Sequence, residues 1–135
     1  MHASNKPHDA NNQPNYNITN KQTKKQQAGV SECNVPEDNI FIKEVPGAYE
    51  LPYAAKLLAM SGTVDAIICT GVLIKGETLH FEYISDAVTK GIMDVNLGTM
   101  TPVVYGVLNC LDEEQVVKRS SNENEIGRAS CRERV

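Results

Sequence analysis

The sequence predicts an α/β protein built on a parallel sheet. Three apolar segments at residues 40–45, 66–70 and 103–108 are rich in β-branched side chains, as strands are. Between and after them, apolar residues recur at helical spacing. Alternating strands and helices form βαβ units, whose right-handed crossovers keep the strands parallel. The 135 residues suit one domain of ordinary size.

Two of the predicted helices follow the first two strands. One begins at Ala48 and ends at Ser61-Gly62. The next begins at Thr78 and carries its apolar residues on one face, as expected for a half-buried helix. That face consists of Phe81, Ile84, Val88, Ile92 and Val95.

A short third helix follows the last strand. It begins near Asp112, which has Gln115 three residues further on, the spacing of a capping box. Lys118 and Arg119 lie where a short helix ends, and cations suit the negative end of the helix dipole.

The composition argues against several kinds of partner. A net charge of -4 and a pI near 5.3 disfavour nucleic acid and anionic membranes. No apolar run reaches membrane-spanning length, and residues 1–28 lack the apolar core of a secretory signal. Four cysteines lie far apart and only three histidines are present, so we expect no metal site. These features favour a soluble, cytoplasmic protein.

The segment from Asp65 to His80 is the first candidate for a functional site. An apolar strand reaches Gly71 and Gly76, and a helix then opens with His80 in its first turn. In α/β folds such a junction binds anions and positions catalytic groups. His80 could exchange protons near neutral pH, and the alternative is a partly exposed histidine packed on a strand edge.

Two neighbouring motifs could bind a substrate. Residues 76–78 combine free N–H groups of a helix start with a hydroxyl, which suits a phosphate; ordinary N-capping by Thr78 is the alternative. Lys75 could hold an anion or be a solvated loop charge. Residues 47–50 could hold a planar polar ligand with Tyr49 stacked on it, or form a plain turn with a core tyrosine.

Three segments together resemble the lumazine synthase family, most closely its fungal members. They are Val45–Pro52, Gly71–Ile84 and Pro102–Leu108, the last followed by Glu113-Glu114-Gln115. The resemblance covers about residues 29–119 and implies a flavodoxin-like three-layer αβα fold with a parallel sheet.

The resemblance also implies an enzymatic reaction, the condensation of 5-amino-6-(D-ribitylamino)uracil with 3,4-dihydroxy-2-butanone 4-phosphate to 6,7-dimethyl-8-ribityllumazine. That is the penultimate step of riboflavin biosynthesis, and it needs no metal or organic cofactor.

The same resemblance implies which residues bind substrate. Those that match the segments holding the ribitylaminouracil are Ala48, Tyr49, Glu50, Val72, Leu73 and Ile74. Those that match the loop binding the butanone phosphate are Glu77 and Thr78.

It also implies one catalytic residue and a shared active site. His80 matches the proton-transfer histidine. Tyr105 takes the place of an aromatic that covers the pyrimidine from a neighbouring subunit, and Arg119 that of the phosphate-binding arginine. Taken alone, neither Tyr105 nor Arg119 indicates a functional site, although the bidentate guanidinium of an arginine suits a phosphate. Family members form homopentamers or larger shells, with active sites between subunits.

Both ends depart from the family pattern. The family begins with a strand that lies centrally in its sheet, between those at 40–45 and 66–70. Residues 1–28 are rich in Asn, Gln, Lys and Thr and contain no such strand, so we expect them to be disordered. We therefore expect a partial domain at 29–119 and a non-native or artefactual tail at 120–135. Residues 125–135 resemble translated sequencing-adaptor DNA; a genuine basic tail is the alternative.

Two other functions compete with the enzyme. One is a non-catalytic ligand-binding or assembly subunit derived from the family. The other is a generic phosphate-binding flavodoxin-like module, which explains the loop at 76–78 but not three matched motifs. Turnover of the two substrates separates an enzyme from a non-catalytic subunit.

Overall fold

A computed structural model describes residues 34–120 and has the predicted α/β architecture. Its elements are 3₁₀ turns at Glu37–Asn39 and Ala48–Glu50, α1 (Leu51–Ser61), β1 (Ile67–Ile74), α2 (His80–Thr99), β2 (Val103–Cys110) and α3 (Glu113–Ser120). The two strands are parallel and in register from Ile67 opposite Val103 to Ile74 opposite Cys110. The predictions for residues 1–28 and for the tail after Ser120 lie outside the described residues.

The main core lies between one face of the sheet and the two longer helices. Its buried members are Ala55 and Ala59 of α1, Val88, Ile92 and Val95 of α2, Ile67 and Cys69 of β1, and Val103 and Val107 of β2. Of the five residues predicted on the apolar face of α2, Val88, Ile92 and Val95 are thus buried and Ile84 packs against them, whereas Phe81 lies outside this core. Burial raises the pKa of the Cys69 thiol to about 11, so Cys69 stays protonated and packs as a small apolar side chain.

The third helix packs on the opposite face of the sheet. Strand alternation places Cys110 on the other side from Val107. Cys110 and Val116 of α3 are fully buried there, outside the main core. Nearer the strand starts, Ile68 and Val104 are exposed on this face. The described part therefore has helices on both sides of one sheet, which confirms the three-layer αβα prediction.

One predicted strand is absent. Residues 40–45 have no regular secondary structure, and Phe41 and Ile42 are 68% and 48% exposed. A strand exists only when its N–H and C=O groups pair with a neighbouring strand. Within residues 34–120 the sheet contains only β1 and β2, so this apolar segment has no strand beside it. The prediction of a strand at 40–45 was wrong for that reason.

Several predicted boundaries also shift, and the last strand continues to Cys110 rather than ending at Leu108. The first helix begins at Leu51, because residues 48–50 form a 3₁₀ turn ahead of Pro52. β1 continues beyond Thr70 to Ile74, since all eight of its residues pair with β2. The second helix begins at His80 rather than Thr78. Gly62, with φ 66°, ends α1 as predicted, because glycine adopts this left-handed conformation without steric cost.

Side-chain hydrogen bonds fix the connections at both ends of β2, from α2 and to α3. The Asn96 amide near the end of α2 accepts from Val103 N–H at 2.7 Å and donates to Val103 C=O at 2.8 Å. At the other end, Asp112 Oδ1 accepts from Gln115 N–H at 2.8 Å, and Gln115 Oε1 accepts from Leu111 N–H at 3.0 Å. The predicted capping pair therefore forms. No helix within residues 34–120 has the length and apolar character needed to cross a bilayer.

Candidate active site

A cleft of about 380 Å³ opens at the carboxyl end of β1. It lies between the 3₁₀ turn at Ala48–Glu50, the end of β1 and the first turns of α2. Its lining consists of Gly47, Ala48, Tyr49, Leu73, Ile74, Gly76, Thr78, His80, Phe81 and Ile84. In α/β proteins this edge of the sheet is the usual position of a ligand site.

The structure brings together just over half of the predicted site residues. Those that line the cleft are Ala48, Tyr49, Leu73, Ile74, Thr78 and His80. Those that do not are Glu50, Val72, Glu77, Tyr105 and Arg119. Leu73, Ile74, Thr78 and His80 are near one another in sequence, whereas tertiary packing brings the turn with Ala48 and Tyr49 to them.

His80 and Thr78 stand at the start of the longest helix. His80 is the first residue of α2, is exposed and faces the cleft. Leu79 holds the N-cap position, so Thr78 is not the N-cap, although its Oγ1 accepts a long hydrogen bond of 3.4 Å from His80 N–H. The first N–H groups of a helix lack partners within it and attract anions. The His80 imidazole therefore lies at a helix N-terminus, whose partial positive charge favours anions.

An apolar wall faces this polar end. Gly71 sits where a Cβ would come 3.3 Å from Leu51 Cδ1 and 3.6 Å from Ala48 Cβ, so the strand and the turn approach closely. Tyr49 is 59% exposed at the rim, which excludes the core-tyrosine alternative and leaves its ring free to stack on a ligand. The cleft thus offers a flat apolar surface next to hydrogen-bonding groups, as small-molecule sites do.

Tyr105 and Arg119 lie elsewhere. Tyr105 packs against the main core, and its hydroxyl is 2.6 Å from Asn109 Nδ2 and 3.2 Å from Thr89 Oγ1. Arg119, in the last turn of α3, donates to Gln115 C=O at 3.5 Å. Burial raises the pKa of the Cys110 thiol at the end of β2, and the positive charge of Arg119 partly opposes that rise.

The remaining predicted residues flank the cleft. Val72 lies on the opposite face of β1 from Leu73, because side chains alternate along a strand. Glu50 lies at the start of α1, with its carboxylate close to the Gly47 backbone. Glu77 is exposed in the loop before α2.

Lys75 is paired rather than free. Its Nζ is 2.5 Å from Glu82 Oε1, and this contact is the main reason that the pKa of the Glu82 carboxyl is lowered. Glu82 is half-buried beside Lys75. The positive charge of Lys75 is therefore neutralised by the Glu82 carboxylate of the same chain.

Sequence reasoning assigned no site role to two apolar cleft residues, Phe81 and Ile84. Both were identified as core-facing positions of α2, and both are only half-buried. For Ile84 the available signal was its spacing from His80, since a residue four positions further along a helix lies on the same side. Ile84 therefore follows His80 into the cleft. Phe81, one position after His80, carried no such signal.

Comparison with known proteins supports a specific family. The family model of 6,7-dimethyl-8-ribityllumazine synthase matches residues 12–133, which is most of the chain. The chain belongs to the 6,7-dimethyl-8-ribityllumazine synthase family. The family resemblance drawn from the three sequence motifs is thereby confirmed. The match also extends beyond the range of 29–119 over which those motifs are recognisable.

Membership in the lumazine synthase family gives the cleft its chemical context. The family consists of transferases of riboflavin biosynthesis. Within residues 34–120, no three metal-ligating side chains of the His, Cys, Asp or Glu type cluster together. Two titratable side chains, those of Tyr49 and His80, line the cleft, and His80 stands at the start of α2.

Proposed function

We propose that this chain catalyses the lumazine synthase reaction at the β1–α2 cleft. The substrates are 5-amino-6-(D-ribitylamino)uracil and 3,4-dihydroxy-2-butanone 4-phosphate, and the product is 6,7-dimethyl-8-ribityllumazine. The observation that carries the proposal is that His80, Thr78 and Tyr49 meet at one cleft. They come from segments that also carry the family motifs.

Each part of the cleft suits one part of this reaction. The N–H groups at the start of α2 and the Thr78 hydroxyl bind the phosphate. Tyr49 and the apolar wall of Ala48, Leu73 and Ile74 hold the planar pyrimidine. Holding both substrates together lowers the entropic cost of their condensation.

His80 supplies proton transfer in the proposed reaction. The 5-amino group attacks the ketone carbon, and water leaves as the imine forms. Phosphate then leaves as its carbon–oxygen bond breaks, and a second water is lost as the ring closes. Each step moves a proton to or from an oxygen or nitrogen atom, which an imidazole does well near neutral pH.

The proposal includes an assembly in which subunits share sites. Neither Tyr105 nor Arg119 lines the cleft of its own chain, and Arg119 is exposed, so its guanidinium is accessible to a neighbouring chain. We propose a homopentamer or larger shell in which Tyr105 covers the pyrimidine and Arg119 binds the phosphate of the adjacent subunit. A cytoplasmic location fits the two described cysteines, which are free thiols.

The test is turnover of the two purified substrates to the fluorescent lumazine. We expect the wild-type chain to form product and His80→Ala to lower kcat by roughly 10²–10⁴, the usual contribution of general acid–base catalysis. Lys90→Ala, an exposed change on the same helix, is the control and should leave the rate unchanged.

Two results would contradict the proposal. Equal rates for wild type and His80→Ala would remove His80 from the mechanism. Binding of the ribitylaminouracil without any product would favour the non-catalytic ligand-binding or assembly subunit instead.

A further inference from the structure

The Lys75–Glu82 ion pair spans the loop that leads from β1 to α2. Lys75 is the first residue after β1, and its N–H donates to Cys110 C=O at 2.9 Å, which ties it to the end of β2. Its Nζ contacts Glu82 in the first turn of α2 at 2.5 Å. One side-chain contact therefore joins the two ends of the segment that carries Gly76 and Thr78 to the cleft.

The loop between these ends is weakly held. Residues 76–79 are exposed, and the hydrogen bond from His80 N–H to Thr78 Oγ1 is long, at 3.4 Å. The space around the Gly76 Cα is open. Binding of a ligand to the N–H groups and the Thr78 hydroxyl of this loop therefore depends on the contacts that hold the two ends of the loop in place.

The same pair contributes little to overall stability. The Lys75 and Glu82 side chains are 45% and 39% exposed, and exposed ion pairs stabilise proteins only slightly. Glu82 Oε2 is buried without a hydrogen-bond partner in the described part of the chain, which costs free energy. A stabilising role alone does not account for this arrangement.

We propose that Glu82 is a positioning residue for the anion-binding loop. By holding Lys75 it fixes the path of residues 76–79, so that the Thr78 hydroxyl and the first N–H groups of α2 point into the cleft. This inference rests on the proposed function, because it assigns the loop to the phosphate end of the butanone substrate.

The test is a double-mutant cycle with Glu82→Gln and Lys75→Met, measured as KM for each substrate. Each single variant should raise KM for the butanone phosphate about 10-fold, and the double variant should be no worse, because both changes remove one contact. KM for the ribitylaminouracil should stay within about twofold, since its wall lies on other elements. The exchanged pair, Lys75→Glu with Glu82→Lys, should restore most of the loss.

A second ion pair on the same helix is the matched control. Asp86 and Lys90 contact at 2.8 Å on the exposed side of α2, away from the loop. Asp86→Asn should leave both KM values unchanged. Additive losses in the cycle, a fall in KM for the phosphate substrate, or equal changes for both substrates would overturn the positioning role.

Inorganic phosphate separates this inference from the proposed function. Its binding can be followed through the His80 imidazole NMR signals without any turnover. If wild type forms no lumazine but binds phosphate about 10-fold more tightly than Glu82→Gln does, the proposed function fails and the positioning role stands. If wild type and Glu82→Gln bind phosphate equally, or neither binds it, the positioning role fails.

Discussion

Gly91 allows α1 and α2 to pack closely. A Cβ at this position would lie 2.8 Å from Pro52 Cβ and 2.9 Å from Pro52 Cγ, closer than carbon atoms tolerate. The Pro52 ring cannot rotate away, because it is closed onto the backbone. The contact is therefore relieved only by moving one helix relative to the other.

We expect Gly91→Ala to destabilise the fold. Alanine favours a helix over glycine by about 1 kcal/mol, but the overpacking costs about 1–3 kcal/mol, so the steric term should dominate. The measurement is the free energy of unfolding from urea denaturation. Gly98→Ala on the same helix is the control: its Cβ meets open space, so it should be neutral or stabilising. Equal effects at both positions would contradict the packing argument.

A single side chain, that of Asn96, fixes the connection from α2 to β2. The Asn96 amide meets both backbone groups of Val103 and so fixes where β2 begins relative to α2. An amide is required, because one side chain must accept from an N–H and donate to a C=O at the same time.

We expect Asn96→Asp to destabilise the protein by about 1–3 kcal/mol at neutral pH, because the carboxylate cannot donate to Val103 C=O and the two oxygens repel. Thermal or urea unfolding measures the change. Asn39→Asp, which adds the same charge at an exposed position, should change stability by less than about 0.5 kcal/mol. A similar loss in both variants would point to net charge rather than to this contact.

Elements were predictable where local signals and packing agree. The apolar face of α2, the Gly62 end of α1 and the Asp112–Gln115 cap follow from spacing and residue type. The strand at 40–45 failed, because an apolar β-branched segment still needs a neighbouring strand. The length of β1 was underestimated because glycine at 71 signalled a loop, whereas here it permits close approach of the turn at 48–50.

In the proposed assembly, each active site takes His80 from one subunit and Arg119 from its neighbour. His80→Ala and Arg119→Ala therefore disable the same site through different subunits. Refolding the two inactive variants together should restore roughly a quarter of wild-type activity, since random mixing pairs two intact contributors at that frequency. Fluorescent product formation measures it, and each variant refolded alone is the control. No recovery in mixed oligomers would contradict the shared site.

The fold class, the family and the residues at the β1–α2 junction could be inferred from the amino-acid sequence, because they depend on periodicity, glycine placement and short contiguous motifs. Which of the predicted residues share a cleft depends on helix and sheet packing: Ala48, Tyr49, Leu73, Ile74, Thr78 and His80 do, whereas Tyr105 and Arg119 do not. The same packing pairs Lys75 with Glu82 rather than leaving it free. Such proximities arise from how helices pack on the sheet, and residues distant in sequence carry no local signal of that packing.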